Sequence, residues 1–384
     1  MRMLIGAGLG LVWMVAPAIA QPANLPLRPL ASPQASATLG LDEQLWGSSA
    51  GAGDRAALIA AIDHSLAYLR SPKAAEAYAR YPVPGVTRDR VQRSLVRFRE
   101  LLRTTRSAQE LQAAVRREFV LYESVGKDGQ GTVAFTGYFE PTYVASRVPT
   151  EAFRYPLYRL PPNLGQWPKP HPTRYQLEGP NGLQGAQGRL KGLEIVWLRD
   201  RLEAFLIQVQ GSARLQMTDG TTMTVGYAGR TDYPYSSIGR ELVNDGKVRL
   251  EDLTLPVLIS YFQQNPAALN FYLPRNRRFV FFKETNGAPA TGSLSVPVTA
   301  ERSIATDKSL MPPGALALIH TEIPPASGAE AAQGPVSRFV LDQDTGGAIQ
   351  GAGRVDIFMG TGQQAGDRAG LINGTGQLYY LLLK

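Results

Sequence analysis

The chain of 384 residues contains no cysteine, so it has neither disulfides nor thiol chemistry, and its stability must come from packing, hydrogen bonds and charge. Its three histidines, His64, His171 and His320, are scattered and lack metal-ligand spacing. Without cysteines to assist them, a zinc site is not expected, and the chain calls for no metal and no cofactor. No GxSxG elbow surrounds a serine and no GxxxxGK[ST] loop occurs, which removes the common serine-hydrolase and phosphate-loop classes. No fixed-period repeat suggests a solenoid. The N-terminal apolar run, Met3 to Val15, falls short of the ~20 residues of a spanning helix, and Pro17 stops it. Carboxylate chemistry is what these absences leave.

The composition is that of a globular protein, 44% hydrophobic and 19% charged, with length for roughly two domains. Gly 39 and Pro 28 add many turns and favour a fold that is mainly β. Arg2, the apolar run and Ala18-Ile19-Ala20 before Gln21 have the layout of a secretory signal peptide over residues 1–20, so the mature protein is expected to be exported. Residues 21–40, rich in Pro, Ala and Ser without periodicity, read as a flexible leader. A net charge of +8 on an exported protein suits an anionic partner, a cell wall or a membrane surface. With no block of Lys and Arg, nucleic acid is not an expected partner.

Helical spacing comes next: Leu58, Ile62, Leu66 and Leu69 behind a capping Asp54, then Val91, Leu95, Phe98 and Leu102 behind Thr87. Ser107 and Glu110 fit a capping box opening a third helix. After Gly126 the texture changes to strands and turns. Thr132–Tyr138 reads as a strand in which Thr136 and Tyr138 offer hydroxyls and an aromatic face. Ala204–Gln210 also reads as a strand, and the alternation in Gln208-Val-Gln-Gly-Ser212 would set both glutamine amides on one face, free to hydrogen-bond a ligand. Ile238–Leu242 and Leu253–Phe262 read as helices, Phe279–Phe282 as a buried strand, and Pro324–Val336 as an exposed loop. Near the C-terminus, acids and glycines share LDQDTGGAIQGAGRVDIF, Leu341–Phe358. As a strand, Arg354–Phe358 would hold Asp356 on one face with Arg354 and Phe358, with Asp344 across a Gly-Gly turn. The same acids would equally serve as turn caps.

DTGGAIQGAGRVDIF, with RSIATDKSLMPPG before it and QAGDRAGLINGTG after it, resembles the three-Asp domain of the membrane-bound lytic transglycosylase A family. FTGYFEP, QVQGS, Gly226-Tyr-Ala-Gly229 and Tyr235-Ser-Ser-Ile-Gly239 follow the family's order. The three aspartates would be Asp307, Asp344 and Asp356, with Asp342 incidental. The resemblance implies a double-psi β-barrel with a second, inserted β domain and a groove between them. Residues 41–140 would carry the helices and the first part of the barrel, 141–263 the insert and 264–384 the rest of the barrel. It also implies one catalytic acid, Asp356, with Asp307 structural, and Asp344, Thr136, Tyr138, Gln208, Gln210 and Ser212 lining the substrate site. Anchored family members carry a cysteine after the signal, which this chain lacks. A periplasmic monomer is expected, and without a lipid site any association with the outer membrane or a cell-wall complex would be peripheral.

The activity implied is cleavage of the MurNAc–GlcNAc bond in peptidoglycan glycan strands, with 1,6-anhydromuramoyl ends as products. Two other readings stay open on the residues alone. One is an inverting β-1,4-glycan hydrolase using Asp344 and Asp356 as a pair. The other is a wall-binding module without activity.

Overall fold

The computed structural model describes residues 25–30, 38–48, 51–325 and 334–384. The expected signal peptide, much of the leader and the centre of the Pro324–Val336 loop lie outside the described residues. Among these, no helix is long and apolar enough to cross a membrane.

The larger of two main sheets runs Leu27–Pro29, Phe119–Ser124, Asn373–Leu383, Leu316–Thr321, Val336–Asp344, Ser303–Ala305, Arg354–Thr361 and Val133–Glu140. Asn373–Leu383 is long enough to pair twice. Its first residues also meet Val133–Glu140, from Asn373 opposite Thr136 to Gly376 opposite Val133, so six strands close into a ring without free edges. Two pairings in the ring are parallel, Ser303–Ala305 with Val336–Asp344 and Arg354–Thr361 with Val133–Glu140. Leu316–Thr321 and Val336–Asp344 show near-continuous burial rather than alternation, because the barrel core fills one side and helices cover the other.

Those helices are Arg55–Leu69, Pro72–Ala79, Arg88–Thr104 and Ala108–Glu118. Their apolar stripes are buried as the spacing predicts. Phe98 packs on Phe119 and Phe339, and Gln343 Nε2 donates to Ala61 O and Ser65 Oγ. Thr87 and Ser107 cap their helices through their hydroxyls. The capping box is only half made, since Glu110 accepts from Arg106 N instead of Ser107 N. Asp54 makes no side-chain cap; its carboxylate accepts from Arg302 and Gln44. Arg302 is fully buried and also binds Asp42 and Phe339 O, fastening the N-terminal segment to the barrel. The leader is not wholly flexible either. Leu27–Pro29 adds an edge strand to Phe119–Ser124, because Leu27 is buried and Arg28 pairs with Glu123.

At Pro141 the chain leaves the barrel for a second sheet, ordered Val280–Glu284, Thr222–Arg230, Ser212–Met217, Thr142–Ser146, Glu194–Leu198 and Tyr155–Tyr158. The strand at 280–284 therefore belongs to this sheet and not to the barrel, which moves the expected boundary at 263/264 downstream. Its partner is the glycine-bearing strand Thr222–Arg230, and Val280 and Phe282 complete that sheet's apolar core. A second correction concerns Arg201–Gln210, which is a helix and not a strand. Asp200 accepts from Leu202 N at its start, and Gly211 ends it at φ 84°, a left-handed value open to glycine. Gln208 and Gln210 thus do not share a strand face. Gln208 is buried, with its carbonyl accepting from Arg174 Nη2 (2.6 Å) and Val280 N.

Replacing either of two buried polar anchors should lower stability. Arg302→Met leaves the fully buried Asp42 without its close cation and should cost about 3–5 kcal/mol in urea unfolding. Gln208→Ala removes one acceptor of buried Arg174 and should cost about 1–3 kcal/mol. Unchanged unfolding midpoints would contradict both assignments.

Candidate active site

The parallel register of Arg354–Thr361 against Val133–Glu140 sets Asp356 opposite Thr136 and Phe358 opposite Tyr138. The strand alternates as its sequence predicts. Val355 and Ile357 enter the barrel core, while Arg354, Asp356 and Phe358 face the other way. On that face Thr136 Oγ1 donates to Asp356 Oδ1 at 2.8 Å, and the rings of Tyr138 and Phe358 pack at a 50° tilt with centroids 5.2 Å apart. Arg354 Nη2 donates to Thr136 Oγ1 at 3.2 Å. Thr136 and Tyr138 point the same way because residues two apart on a strand share a face.

Burial pushes the Asp356 carboxyl up to about 6, against the Thr136 hydroxyl and the Arg354 charge, which lower it; the charge of Asp344 adds a smaller push upward. Asp344 is also raised by burial, but it holds three opposing donors. Tyr138 OH reaches its Oδ2 at 2.8 Å, and the backbone N–H groups of Ser293 and Thr345 reach Oδ1 at 2.8 Å each. Its backbone oxygen accepts from Lys308 Nζ and Thr306 N. Burial and the neighbouring carboxylate raise the Tyr138 phenol well above its usual range, so it stays a neutral donor. Both oxygens of Asp344 are thus occupied by the chain itself, whereas Asp356 has one protein donor and a second oxygen for chemistry.

The other sequence-named residues divide. Gln210 Oε1 accepts from Phe139 N at 3.0 Å, linking the end of the 201–210 helix to the strand that carries Thr136 and Tyr138. Ser212 opens the next strand, opposite Gly226. Gln208 is part of the insert's interior, packed under Arg174. Asp307 Oδ1 accepts from Ser309 N and Oγ, and its Oδ2 accepts from Gly351 N at 2.8 Å, so it ties the turn before Pro312 to the loop leading into Arg354. Although burial pushes its carboxyl up, those donors hold it below the usual carboxylate range. Asp342 is not incidental. It is fully buried and accepts from Thr306 Oγ1 and Tyr380 OH at 2.7 Å each, and from Lys308.

Sequence reasoning gave no role to three residues around the two acids. Arg354 shares the acid's face and was legible from the alternation. Tyr235, from the Tyr235-Ser-Ser-Ile-Gly239 stretch, lies close enough for the Asp356 charge to raise its phenol, which burial raises more. Arg278 packs on the loop after Asp344 so tightly that a Cβ on Gly347 would sit 1.6 Å from its Nη1. That glycine therefore makes room for a guanidinium of the second unit. A surface cleft of about 390 Å³ opens beside Lys73, Arg80 and Lys308, but its walls include neither acid, so chemistry rather than volume selects Asp356.

The chain is similar to known proteins over most of its length. Residues 134–283 match the MltA specific insert domain and residues 302–382 match the 3D domain. Membrane-bound lytic murein transglycosylase A of Escherichia coli K12 is 32% identical over 263 residues, 68% of each chain. The protein of the same name from Vibrio cholerae is 33% identical over 261 residues, 67% of this chain and 68% of the relative. The crystal structure of E. coli MltA with bound chitohexaose superposes with a TM-score of 0.70 at 26% identity, covering 94% of this chain and 95% of that one. A membrane-bound lytic murein transglycosylase from Agrobacterium tumefaciens gives 0.69 at 26% identity, covering 86% and 93%. The chain belongs to the membrane-bound lytic murein transglycosylase A family.

Proposed function

We propose that this chain is a peptidoglycan lytic transglycosylase in which Asp356 alone serves as acid and then as base. The observation that carries this reading is the contrast between the two neighbouring acids. Asp356 is a partly buried carboxyl pushed up to about 6 with one chain donor, and Asp344 is tied by three, on both of its oxygens. A carboxyl titrating near 6 is protonated often enough to act as an acid and ionises readily enough to act as a base.

In the first step Asp356 gives its proton to the oxygen bridging MurNAc and GlcNAc, and the bond from that oxygen to the MurNAc anomeric carbon breaks. The 6-hydroxyl of the same MurNAc then bonds to that carbon and returns its proton to Asp356. The acid is restored, no water is consumed, and the product ends in 1,6-anhydromuramic acid. A hydrolase would need a second carboxylate free to activate water. Asp344 is ill suited to that task because its oxygens already accept from Tyr138, Ser293 and Thr345. It is better suited to holding Tyr138 and adding negative charge beside Asp356.

The glycan strand would lie in a groove where the barrel meets the insert, with Tyr138 and Phe358 on one wall and Tyr235, Gln210 and Ser212 on the other. Interdomain clefts are common ligand sites. The closed six-strand ring with its two parallel pairs supports the double-psi reading of the barrel. Export to the periplasm fits the substrate, and the net charge of +8 favours an anionic wall.

Mass spectrometry of purified sacculi after digestion tests the reaction directly: anhydro ends are expected, and reducing ends would indicate hydrolysis. Asp356→Asn keeps the shape but loses both proton transfers, so kcat should fall by ~10⁴ or more while folding and wall binding persist. Near-normal release of anhydromuropeptides by that variant would refute the assignment. Because the acid must begin protonated, kcat/KM should decline as pH rises through about 6. Asp344→Asn removes a charge that raises Asp356, so its alkaline limb should move to lower pH with turnover retained. Equal inactivity of the two variants would favour the paired-carboxylate hydrolase instead.

A further inference from the structure

Arg354 has no part in the reaction as described, yet its position is unusual. Its side chain lies on the acid's face of the strand, and its Nε is enclosed without a hydrogen-bond partner. A buried orphan donor costs stability, and one on a strand that could carry a neutral residue calls for a reason. Its other contact supplies one. Nη2 donates to Thr136 Oγ1 at 3.2 Å, and Thr136 Oγ1 is 2.8 Å from Asp356 Oδ1.

A guanidinium only donates, whereas a threonine hydroxyl both donates and accepts. With Arg354 on its lone pair, Thr136 turns its single proton toward Asp356. Oδ1 is thereby held as an acceptor in both charge states of the acid. We propose that Arg354 is a positioning residue for the acid step: acting through Thr136, it commits Asp356 Oδ1 to accepting and leaves the transferable proton on Oδ2. The inference rests on Asp356 being the acid.

The arrangement also sets the range in which the acid works. The groups facing Asp356 are Thr136 and Tyr138 on the paired strand, Arg354 on its own strand, Asp344 across the loop and Tyr235 from the insert. Only Arg354 among them is a cation. Its charge opposes the rise that burial imposes, so the carboxylate left after the first proton transfer is stable enough to wait for the 6-hydroxyl.

The test compares kcat and KM against pH, on sacculi, for Arg354→Met, Arg354→Lys, Thr136→Val and the double variant Thr136→Val/Arg354→Met, each first checked for a cooperative thermal transition. Arg354→Met should move the alkaline limb up by about one pH unit and lower kcat roughly tenfold, with KM nearly unchanged. Arg354→Lys keeps the charge and should keep the limb where the wild type has it. If Arg354 acts through Thr136, the double variant should have the kcat of Thr136→Val. A wild-type limb in Arg354→Met, an upward shift in Arg354→Lys, or multiplicative losses in the double variant would each overturn the proposal. Should Arg354→Met not fold, Arg354→Gln takes its place, with the same upward move of the limb expected and a wild-type limb counting against the proposal. An inactive Asp356→Asn beside a wild-type limb in Arg354→Met would sink this inference and leave the acid assignment standing.

Discussion

Chemistry at this site requires that two strands whose key residues lie 220 positions apart be paired in one register. Asp356 must stand opposite Thr136, because a slip of one residue would turn Val355 or Ile357 outward and bury the acid in the barrel. Several independent features resist that slip. Val355 and Ile357 are fully buried, so slipping would expose both. Asn373 pairs with Thr136 from the other side and closes the ring, leaving the Thr136 strand no free edge along which to slide. At Gly137, between Thr136 and Tyr138, a Cβ would come within 2.8 Å of the Ala369 backbone, so helix 363–371 lies directly on the strand. The Arg302 cluster then clamps the N-terminal helices over the outside.

Given that register, two carboxyls in similar surroundings acquire different roles. Burial pushes both up, and its effect is the largest on each. The hydrogen bonds separate them. Three donors spread over both oxygens fix Asp344 in place, while one donor orients Asp356 and leaves its other oxygen without a hydrogen bond from the chain. On the proposed reading, the acid tied by one donor is the one that carries the proton, and the acid tied by three stays in place.

Much of this was legible in the sequence, and the failures have physical causes. The helix at 88–104 announces itself because one face is apolar and the other charged, and the helix at 55–69, whose exposed face is largely alanine, through the spacing of Leu58, Ile62, Leu66 and Leu69. The helix at 201–210 does not, since Arg201, Leu202 and all of Ala204–Gln208 are buried and no polar stripe remains to show the period. Over so short a stretch Gln-Val-Gln imitates a strand; the better signals were Asp200 before it and Gly211 after it. Helix 363–371 is hidden differently. Its Gly366 lies 2.7 Å, measured from an ideal Cβ, from the Phe139 ring, and glycines needed for close packing look in sequence like a loop. Asp342 reads as one more turn acid because its partners, Thr306, Lys308 and Tyr380, are distant along the chain. Asp356 was legible for the opposite reason: the alternation in Arg354–Phe358 is local, and it determines the face on which the acid emerges.

The second unit contributes to the site as well as enlarging it. Its helix 201–210 is fixed from within by Gln208, which accepts from Arg174, and two residues later Gln210 accepts from the backbone of Phe139. Phe139 follows Tyr138, so the bond that joins the units falls next to the residue that holds Asp344. Arg278, whose backbone oxygen also accepts from Arg174, meets the loop at Gly347 on the other side of Asp344. One buried arginine in the insert thus braces both approaches to the acid pair. Displacing the insert would pull on the Thr136 strand and the Asp344 loop together, so the positions of both acids depend on this junction although no strand of the insert enters the barrel ring.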